Sequence, residues 1–400
     1  MILGLSVDEN FVYASVQGDN KVMSFPFAIG RNLTSNTWFI GDEARSEDID
    51  NVDIVIDKLF YIMSNDGSAK IGETPYDAKE LTRIFFSNLI AKFPDIEYVT
   101  VVIRQSSIKY LEKIKQAMMS LFKDESKFKV TTYSEAFVSY LKSKDPSFYS
   151  NLVSLFDFTE KALTYYELVR YVDDSGLEYW KVNTEEHLAL PLDLLSGDAG
   201  KKVCDKILYD FAKRCIKEET YNHIILSGLG FEDSSYYREF MTYICSIANV
   251  ETDVHFFAKS AALLANDIVT NNFDKNVLLI TDARTTASIK FIATVNQVNT
   301  KIELIKPGEE WFNLKDNYFD VIVEDERVIK LEIIKVIERV LKEVSIAIPE
   351  NVELRKDKTN LFELGFNFSE QNLVYVSLSD KGFGEFYESS KGTTTKRVDI

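Results

Sequence analysis

The fold is decided by a short stretch in which a buried-type strand ends in a turn with two glycines, Ile224-Ile225-Leu226-Ser227-Gly228-Leu229-Gly230-Phe231. The aliphatic run before Ser227 is typical of a strand that is covered on both faces. Gly228 and Gly230 lack a Cβ, so the chain there can turn sharply or lie flat against another group. Two interpretations are open: a loop that touches a ligand, and an ordinary strand-to-helix turn.

The segments around this stretch follow a plan that also occurs earlier in the chain. Hydrophobic periodicity predicts a first copy with strands at 2–7, 11–16, 21–27, 98–103 and 128–132 and helices at 78–93, 108–122 and 135–141. It predicts a second copy with strands at 152–156, 162–171, 177–182 and 224–227, an extended piece at 253–256, and helices at 199–216, 235–248 and 260–270. Each copy begins with β-hairpins and continues with alternating strands and helices, which predicts a duplicated α/β module.

From Asn276 onward the pattern changes to strands, at 277–281, 287–293, 301–305, 319–323, 361–368 and 373–378. Residues 332–342 are compatible with a strand or a helix, and their Ile and Val content favours a strand. The polar tail, 389–400, is predicted to be frayed. We therefore expect domains at 1–150, 151–274 and 275–400.

Composition excludes several classes of partner. The chain has 400 residues, 46% hydrophobic and 13% aromatic, as in a folded protein. Lys and Arg number 46 against 63 for Asp and Glu, a net charge of −17. Nucleic acids and anionic membranes are poor partners for such a surface.

The N-terminus and the cysteines favour a cytoplasmic protein without a metal site. The start has no basic region and reaches Asp8 and Glu9 early, and no apolar run is long enough to span a bilayer. Cys204, Cys215 and Cys245 have no metal-like spacing, and the three histidines are scattered.

A duplicated module with a β-hairpin at the head of each half resembles the actin, Hsp70 and sugar-kinase superfamily, which has a ribonuclease H-like fold. Residues 1–5 look like its opening strand, 40–44 (IGDEA) resemble a loop of Hsp70 proteins, and 134–136 (SEA) resemble the step that links the halves. In that superfamily, 224–231 would be the adenosine loop, which lies against a purine and ribose.

The chain is also similar to an uncharacterised bacterial family of degenerate Hsp70/actin-like proteins. The similarity rests on 228–265, on 307–311 (PGEEW) and on 380–390 (DKGFGEFYESS). This resemblance implies an ATPase-like body followed by a β-rich C-terminal domain.

The first hairpin of the superfamily carries an Asp that holds the metal, and a glycine turn whose N–H groups grip phosphates. Here Ser6-Val7-Asp8-Glu9-Asn10 takes that place. If Ser6 matches the Asp, the metal ligand is missing; if the turn is shifted, Asp8 would serve instead. In both cases Glu9 adds negative charge beside a triphosphate, which costs roughly 1 to 4 kcal/mol for like charges about 4 Å apart.

The second hairpin reads Asp157-Phe158-Thr159-Glu160-Lys161. Asp157 is retained, but the turn has no glycine, so side chains stand where phosphates would approach the backbone. Lys161 would serve as a point-charge phosphate ligand, or would form a solvated pair with Glu160. Gly197, which precedes the long helix, would open an anion-binding helix start, or would belong to an exposed helix end.

The resemblance thus implies an ATP or ADP site, with Mg²⁺ possible, in which Asp157 and Asp8 are the catalytic candidates. The predicted cofactor-binding residues are Ser6, Asp8, Asp157, Thr159, Lys161, Gly197, Gly228, Gly230 and Phe231.

Three functions follow from this resemblance. The altered turns favour a pseudo-ATPase that acts as a regulatory or scaffolding module for a protein partner. The alternatives are an active chaperone-like ATPase, whose β domain binds peptides by strand addition, and an actin-like protein that forms filaments. No other catalytic motif, such as a P-loop or HExxH, is present in the sequence. The partner and the oligomeric state stay open.

Overall fold

The computed structural model describes residues 1–45, 53–104, 108–272, 274, 276–295, 298–314, 317–324 and 326–400. They divide into a first unit, Met1–Val277, and a second unit, Leu278–Ile400. Among these residues, no helix combines the length and the apolar character needed to cross a membrane.

The first half of the first unit begins with a β-hairpin and ends with a helix. Its elements are β1 (Ile2–Val7), β2 (Phe11–Val16), β3 (Val22–Pro26), β4 (Ile29–Asn32), β5 (Thr37–Ile40), α1 (Asp42–Arg45), β6 (Ile54–Ile56), α2 (Leu59–Ser64), β7 (Ser68–Ile71), β8 (Thr74–Asp77), α3 (Ala78–Ile90), β9 (Tyr98–Ile103), α4 (Ile108–Phe122), β10 (Phe128–Thr132) and α5 (Tyr133–Lys142).

The second half follows the same sequence of elements. They are β11 (Leu152–Phe158), β12 (Ala162–Val172), β13 (Glu178–Ala189), α6 (Asp198–Cys215), β14 (Tyr221–Ser227), α7 (Arg238–Cys245), β15 (Asn249–Thr252) and α8 (Phe256–Val269). A further strand, β16 (Val277–Ile280), begins at the boundary between the two units.

The two halves have the same sheet topology. In the first half the strands are neighbours in the order β10-β9-β1-β2-β3, and in the second half in the order β15-β14-β11-β12-β13. Each hairpin strand pairs antiparallel with the next, whereas β1 and β9, β9 and β10, β11 and β14, and β14 and β15 pair parallel. The duplication predicted from the sequence is therefore confirmed. Because parallel strands end at one edge of a sheet, the turn after β1 and the end of β9 lie close together.

Helix α8 of the second half packs directly on β1 of the first half. A Cβ built on Gly4 would lie 2.1 Å from the Ala262 nitrogen and 2.6 Å from the Ala258 carbonyl oxygen. Glycine at this position lets the helix backbone approach the strand. Next to this contact, the Tyr133 ring of α5 stacks on the Phe257 ring of α8 with centroids 3.9 Å apart. The two halves thus share a core.

One predicted strand of the first unit is wrong. Residues 253–256 are not extended, since the strand is Asn249–Thr252 and α8 begins at Phe256. The Asp253 carbonyl accepts the Phe256 N–H at 3.1 Å, and its carboxylate accepts the His255 N–H at 3.2 Å. An aspartate that bonds to the backbone two residues later favours a turn over a strand.

The second unit consists of two antiparallel sheets in the residues that the structure describes. Its strands are β17 (Ala287–Val295), β18 (Val298–Ile305), β19 (Asn317–Val323), β20 (Val328–Lys335), β21 (Val340–Ala347), β22 (Asn360–Glu370), β23 (Leu373–Asp380) and β24 (Thr393–Asp399). One sheet has the order β18-β17-β20-β21 and the other β19-β22-β23-β24. Residues 332–342, predicted to be a strand, belong to two strands joined by a turn in which Arg339 has a φ of 54°.

The tail predicted to be frayed is an ordered strand. β24 pairs antiparallel with β23, and the side chains of Val398 and Ile400 are buried. Its Thr, Lys and Arg residues give no apolar alternation, but the backbone ladder with β23 does not depend on side-chain polarity. The prediction of a frayed end was therefore wrong.

The close contact at Gly4 predicts that one methyl group added at this position strongly lowers the stability of the protein. We expect Gly4→Ala to lower the free energy of unfolding by about 3 kcal/mol or more, because the new Cβ meets helix backbone that cannot rotate away. Gly67→Ala is the control, since its Cβ would lie at an ordinary 3.5 Å from Ile62. Thermal unfolding followed by circular dichroism measures both variants; similar midpoints would contradict the prediction.

Candidate functional site

The hairpin register shows which residues of the two turns correspond. In the first turn Val7 pairs with Val12, and the Asp8 N–H donates to the Phe11 carbonyl at 2.8 Å. In the second turn Phe158 pairs with Leu163, and the Thr159 N–H donates to the Ala162 carbonyl at 2.9 Å. Each pair thus closes a turn of the same length.

Within this chain, the register sets which residues of the two turns correspond. Ser6 occupies the place that corresponds to Asp157, and Asp8 occupies the place that corresponds to Thr159. The first turn therefore has a buried hydroxyl where the second has a buried carboxylate.

An arginine that the sequence analysis did not single out joins the two turns. Arg104 follows β9, and its Nη2 lies 2.8 Å from Asp157 Oδ2 and 3.8 Å from Asp8 Oδ1. Its Nη1 donates to Thr159 Oγ1 at 3.2 Å. The guanidinium also lies over the Tyr133 ring, 5.6 Å from its centroid. The sequence signal that would have found it is a basic residue at the end of the buried strand 98–103.

At the contact between Arg104 and Asp157, burial and the opposite charge of the partner shift each pKa in opposite directions. Burial raises the pKa of Asp157, with a further rise from Asp8, and these effects outweigh the lowering by Arg104 and by a hydrogen bond from Ser227. Burial lowers the pKa of Arg104, but the carboxylates of Asp157 and Asp8 raise it by more. The guanidinium is therefore charged, and it is the group that keeps a buried carboxylate at this place acceptable.

The tips of the turns are also bonded to each other. Lys161 Nζ lies 2.7 Å from Glu9 Oε2, and the Asn10 amide donates to the Glu160 carboxylate. Lys161, predicted to bind a phosphate or to pair with Glu160, instead pairs with an acid of the opposite turn. The pair of Lys161 and Glu9 is largely exposed, so it contributes little to stability.

The glycines of the 224–231 stretch are explained by contacts within the protein. Gly228 has a φ of +92°, and a Cβ there would lie 2.3 Å from the Phe158 carbonyl oxygen. A Cβ on Gly230 would lie 2.2 Å from the Phe158 ring. Phe231 is buried, and its ring lies 5.8 Å from those of Phe158 and Phe240. The loop thus packs around the side chain of Phe158, which lies at the start of the second turn.

A cavity lies between the two turns. Its empty volume, open solvent included, is about 330 Å³, and its lining residues are Ser6, Asp8, Tyr13, Arg104, Tyr133, Asp157, Thr159, Ser227, Gly228, Leu229, Val254, His255 and Phe257. Five predicted site residues are thus brought together: Ser6, Asp8, Asp157, Thr159 and Gly228. Lys161, Gly197, Gly230 and Phe231 do not line this cavity, and Gly197 is exposed at the start of α6.

His255 is a further cavity residue that the sequence did not indicate. Its ring lies 4.9 Å from that of Tyr13, and its buried Nδ1 has no hydrogen-bond partner among the described residues. Burial lowers its pKa. Within the described part of the chain, no group of three or more His, Cys, Asp or Glu side chains is arranged to hold a metal ion.

Together these contacts do not fit a magnesium nucleotide bound as the superfamily would bind it. The turns offer no glycine backbone to phosphates, the cation between the carboxylates is a guanidinium, and Phe158 packs against the glycine loop.

Two family models match the chain. One, described as a family of unknown function (DUF5716) C-terminal, matches residues 11–282. The other, described as a domain of unknown function (DUF8552), matches residues 284–400. A search of curated protein sequences gave no match.

A comparison with solved structures finds two proteins of distant likeness. The apo psk41 ParM protein is 12% identical, with a TM-score of 0.40, over 68% of this chain and 98% of its own. A non-polymerising MamK mutant bound to AMPPNP is also 12% identical, with a TM-score of 0.43, over 66% of this chain and 98% of its own. At these values the likeness is distant.

The Arg104 contact predicts a strong effect on stability. We expect Arg104→Met to lower the free energy of unfolding by about 3 to 5 kcal/mol, because it leaves the carboxylate of Asp157 buried without a cation. Lys161→Met, which breaks the exposed pair with Glu9, should cost about 1 kcal/mol or less. Adding Asp157→Asn to Arg104→Met should restore much of the loss. Urea unfolding measures all three, and equal losses for the two single variants would contradict the prediction.

The same contact predicts a pH dependence. Loss of Arg104 removes an effect that lowers the pKa of Asp157, so the raised pKa rises further. Between the ordinary and the raised pKa, the native state holds a proton that the unfolded state releases, so stability falls as pH rises. The stability deficit of Arg104→Met should therefore be larger at about pH 8 than at about pH 5. Melting at both values measures it; a deficit that grows on acidification would refute this assignment.

Proposed function

The chain belongs to the DUF5716 family, and we propose that its first unit is an actin/Hsp70-like pseudo-ATPase that serves as a scaffold for a protein partner. In this unit Arg104 takes the place of the metal cation that would accompany a bound nucleotide. The observation that carries the proposal is the bridge from Arg104 to Asp157 and Asp8. A nucleotide would require two separated turns with a metal and phosphates between them. Here the turns are joined by side chains of the protein itself.

Charge balance supports this proposal. Asp8 and Asp157 face one cavity, and the guanidinium of Arg104 neutralises much of their charge there. Arg104 is a strong phosphate ligand in principle, but two of its N–H groups are already engaged by Asp157 and Thr159. An incoming phosphate would have to displace a buried carboxylate from its cation, which is unfavourable.

The packing around the glycine loop also supports the pseudo-ATPase proposal. In the adenosine-loop interpretation, Gly228 and Gly230 leave room for a purine and a ribose. The carbonyl and ring of Phe158 already lie where a Cβ of either glycine would stand. Packing by Phe158 therefore accounts for both glycines without a ligand.

Apolar residues on the second unit support a protein partner. Large side chains are exposed there, among them Tyr318 and Ile322 of the outer strand β19, and Phe386, which is 83% exposed. Exposed aromatic side chains are the residues that anchor protein interfaces most often.

A second candidate is an actin-like protein that binds nucleotide and polymerises. One observation favours it: the carboxylates of Asp8 and Asp157 and the hydroxyls of Ser6 and Thr159 all line the same cavity. If Arg104 swung away, these groups would be available to a magnesium nucleotide.

Calorimetric titration separates the two candidates. We expect no binding heat for ATP or ADP, with or without Mg²⁺, and no change in melting temperature at millimolar nucleotide. A ligand at 100 times its Kd would add about 2.7 kcal/mol of stability, which shifts the midpoint by a few degrees for a unit of this size.

Nucleotide binding in this titration would be the contrary result. Magnesium-dependent binding that is lost in Asp157→Ala would refute the pseudo-ATPase proposal. Light scattering that then rises with protein concentration and nucleotide would establish the polymerising candidate.

A further inference from the structure

A second cavity lies in the first half of the first unit, next to the turn that follows β1. Its empty volume, open solvent included, is about 340 Å³, and its lining residues are Val7, Asp8, Glu9, Phe60, Met63, Ile103, Arg104 and Tyr110. It shares Asp8 and Arg104 with the cavity between the turns, and its other six lining residues do not line that cavity.

The walls of this cavity are apolar and aromatic. Phe60 of α2 and Tyr110 of α4 stack with ring centroids 5.1 Å apart and an interplanar angle of 19°. The side chain of Met63 is fully buried, and Val7 and Ile103 are nearly so. Stacked rings beside a polarisable thioether favour an aromatic guest.

One polar group of the wall lacks a partner. Arg104 Nε is buried and has no hydrogen-bond partner among the described residues, whereas Nη1 and Nη2 are bonded to Thr159 and Asp157. A buried donor without an acceptor is unfavourable. An oxygen atom on a molecule in this cavity would supply the acceptor.

The charges of the wall restrict the kind of acceptor. Asp8 and Glu9 also line the cavity, so an anionic guest would stand beside two carboxylates. A cationic guest would compete with Arg104 and with Lys161, which already pair with these acids. An uncharged acceptor avoids both costs.

We propose that this cavity binds an uncharged, ring-bearing small molecule whose carbonyl or hydroxyl oxygen accepts the Arg104 Nε–H. Such a ligand contacts the arginine that joins the two halves. The inference rests on the proposed function, because it requires Arg104 to stay bonded to Asp157 and Thr159.

Methionine-methyl NMR on the full-length protein tests the location of the site. The chain has six methionines, so the spectrum is simple. The probe is acetophenone, and α-methylstyrene is its matched control because it has the same shape without the oxygen. Both rings should shift the Met63 methyl signal and leave that of Met241, in α7, unchanged. If no probe shifts Met63 at its solubility limit, the cavity is a packing gap and the proposal fails.

The variant Arg104→Lys tests the hydrogen bond. It keeps a positive charge for Asp157 and removes the Nε–H. The ratio of acetophenone to α-methylstyrene affinity should fall about fivefold to tenfold, the value of one hydrogen bond, and an unchanged ratio would overturn the assignment of Arg104.

Benzoate and benzylammonium, titrated into the wild-type protein, test the charge argument without any substitution. Both should bind more weakly than acetophenone. Tighter binding of either ion would overturn the proposal of an uncharged ligand, and this result is available even if Arg104→Lys does not fold.

Discussion

The contact between the Arg104 guanidinium and the Asp157 carboxylate joins the two halves of a duplicated module at the point where their hairpin turns meet. Asp157 is almost fully buried, and its burial alone would favour the neutral acid. A charged guanidinium at 2.8 Å reduces that cost, and removal of either partner would leave the other buried without compensation. The rest of the site is arranged around this pair.

Side chains of the protein itself join the two hairpin turns. The carboxylates of Asp8 and Asp157 lie near one cation, and the outer acids Glu9 and Glu160 are bonded to side chains of the opposite turn. This pattern offsets part of the negative charge of the four acids and ties the turns to each other.

The glycine loop illustrates how one sequence feature has two physical explanations. Gly228 and Gly230 permit a close approach of another group, and the sequence alone leaves the identity of that group open. In the structure the carbonyl and the ring of Phe158 stand beside these glycines, and Gly228 also lines the cavity between the turns. An internal turn and a ligand-binding loop thus predict the same glycines.

The sequence by itself determined the elements and their repetition. Strand 98–103, helix 108–122 and strand 128–132 have the predicted bounds, because periodicity and β-branched content are local properties of the chain. The bridge between Arg104 and Asp157 was decided by tertiary structure, since these residues are 53 positions apart and meet through the sheet order β9-β1 and β14-β11. The match of Ser6 to Asp157 required the hairpin register, and the ordered tail required the backbone of β23. Long-range pairing sets these features, and it leaves no periodic signal in the residues concerned.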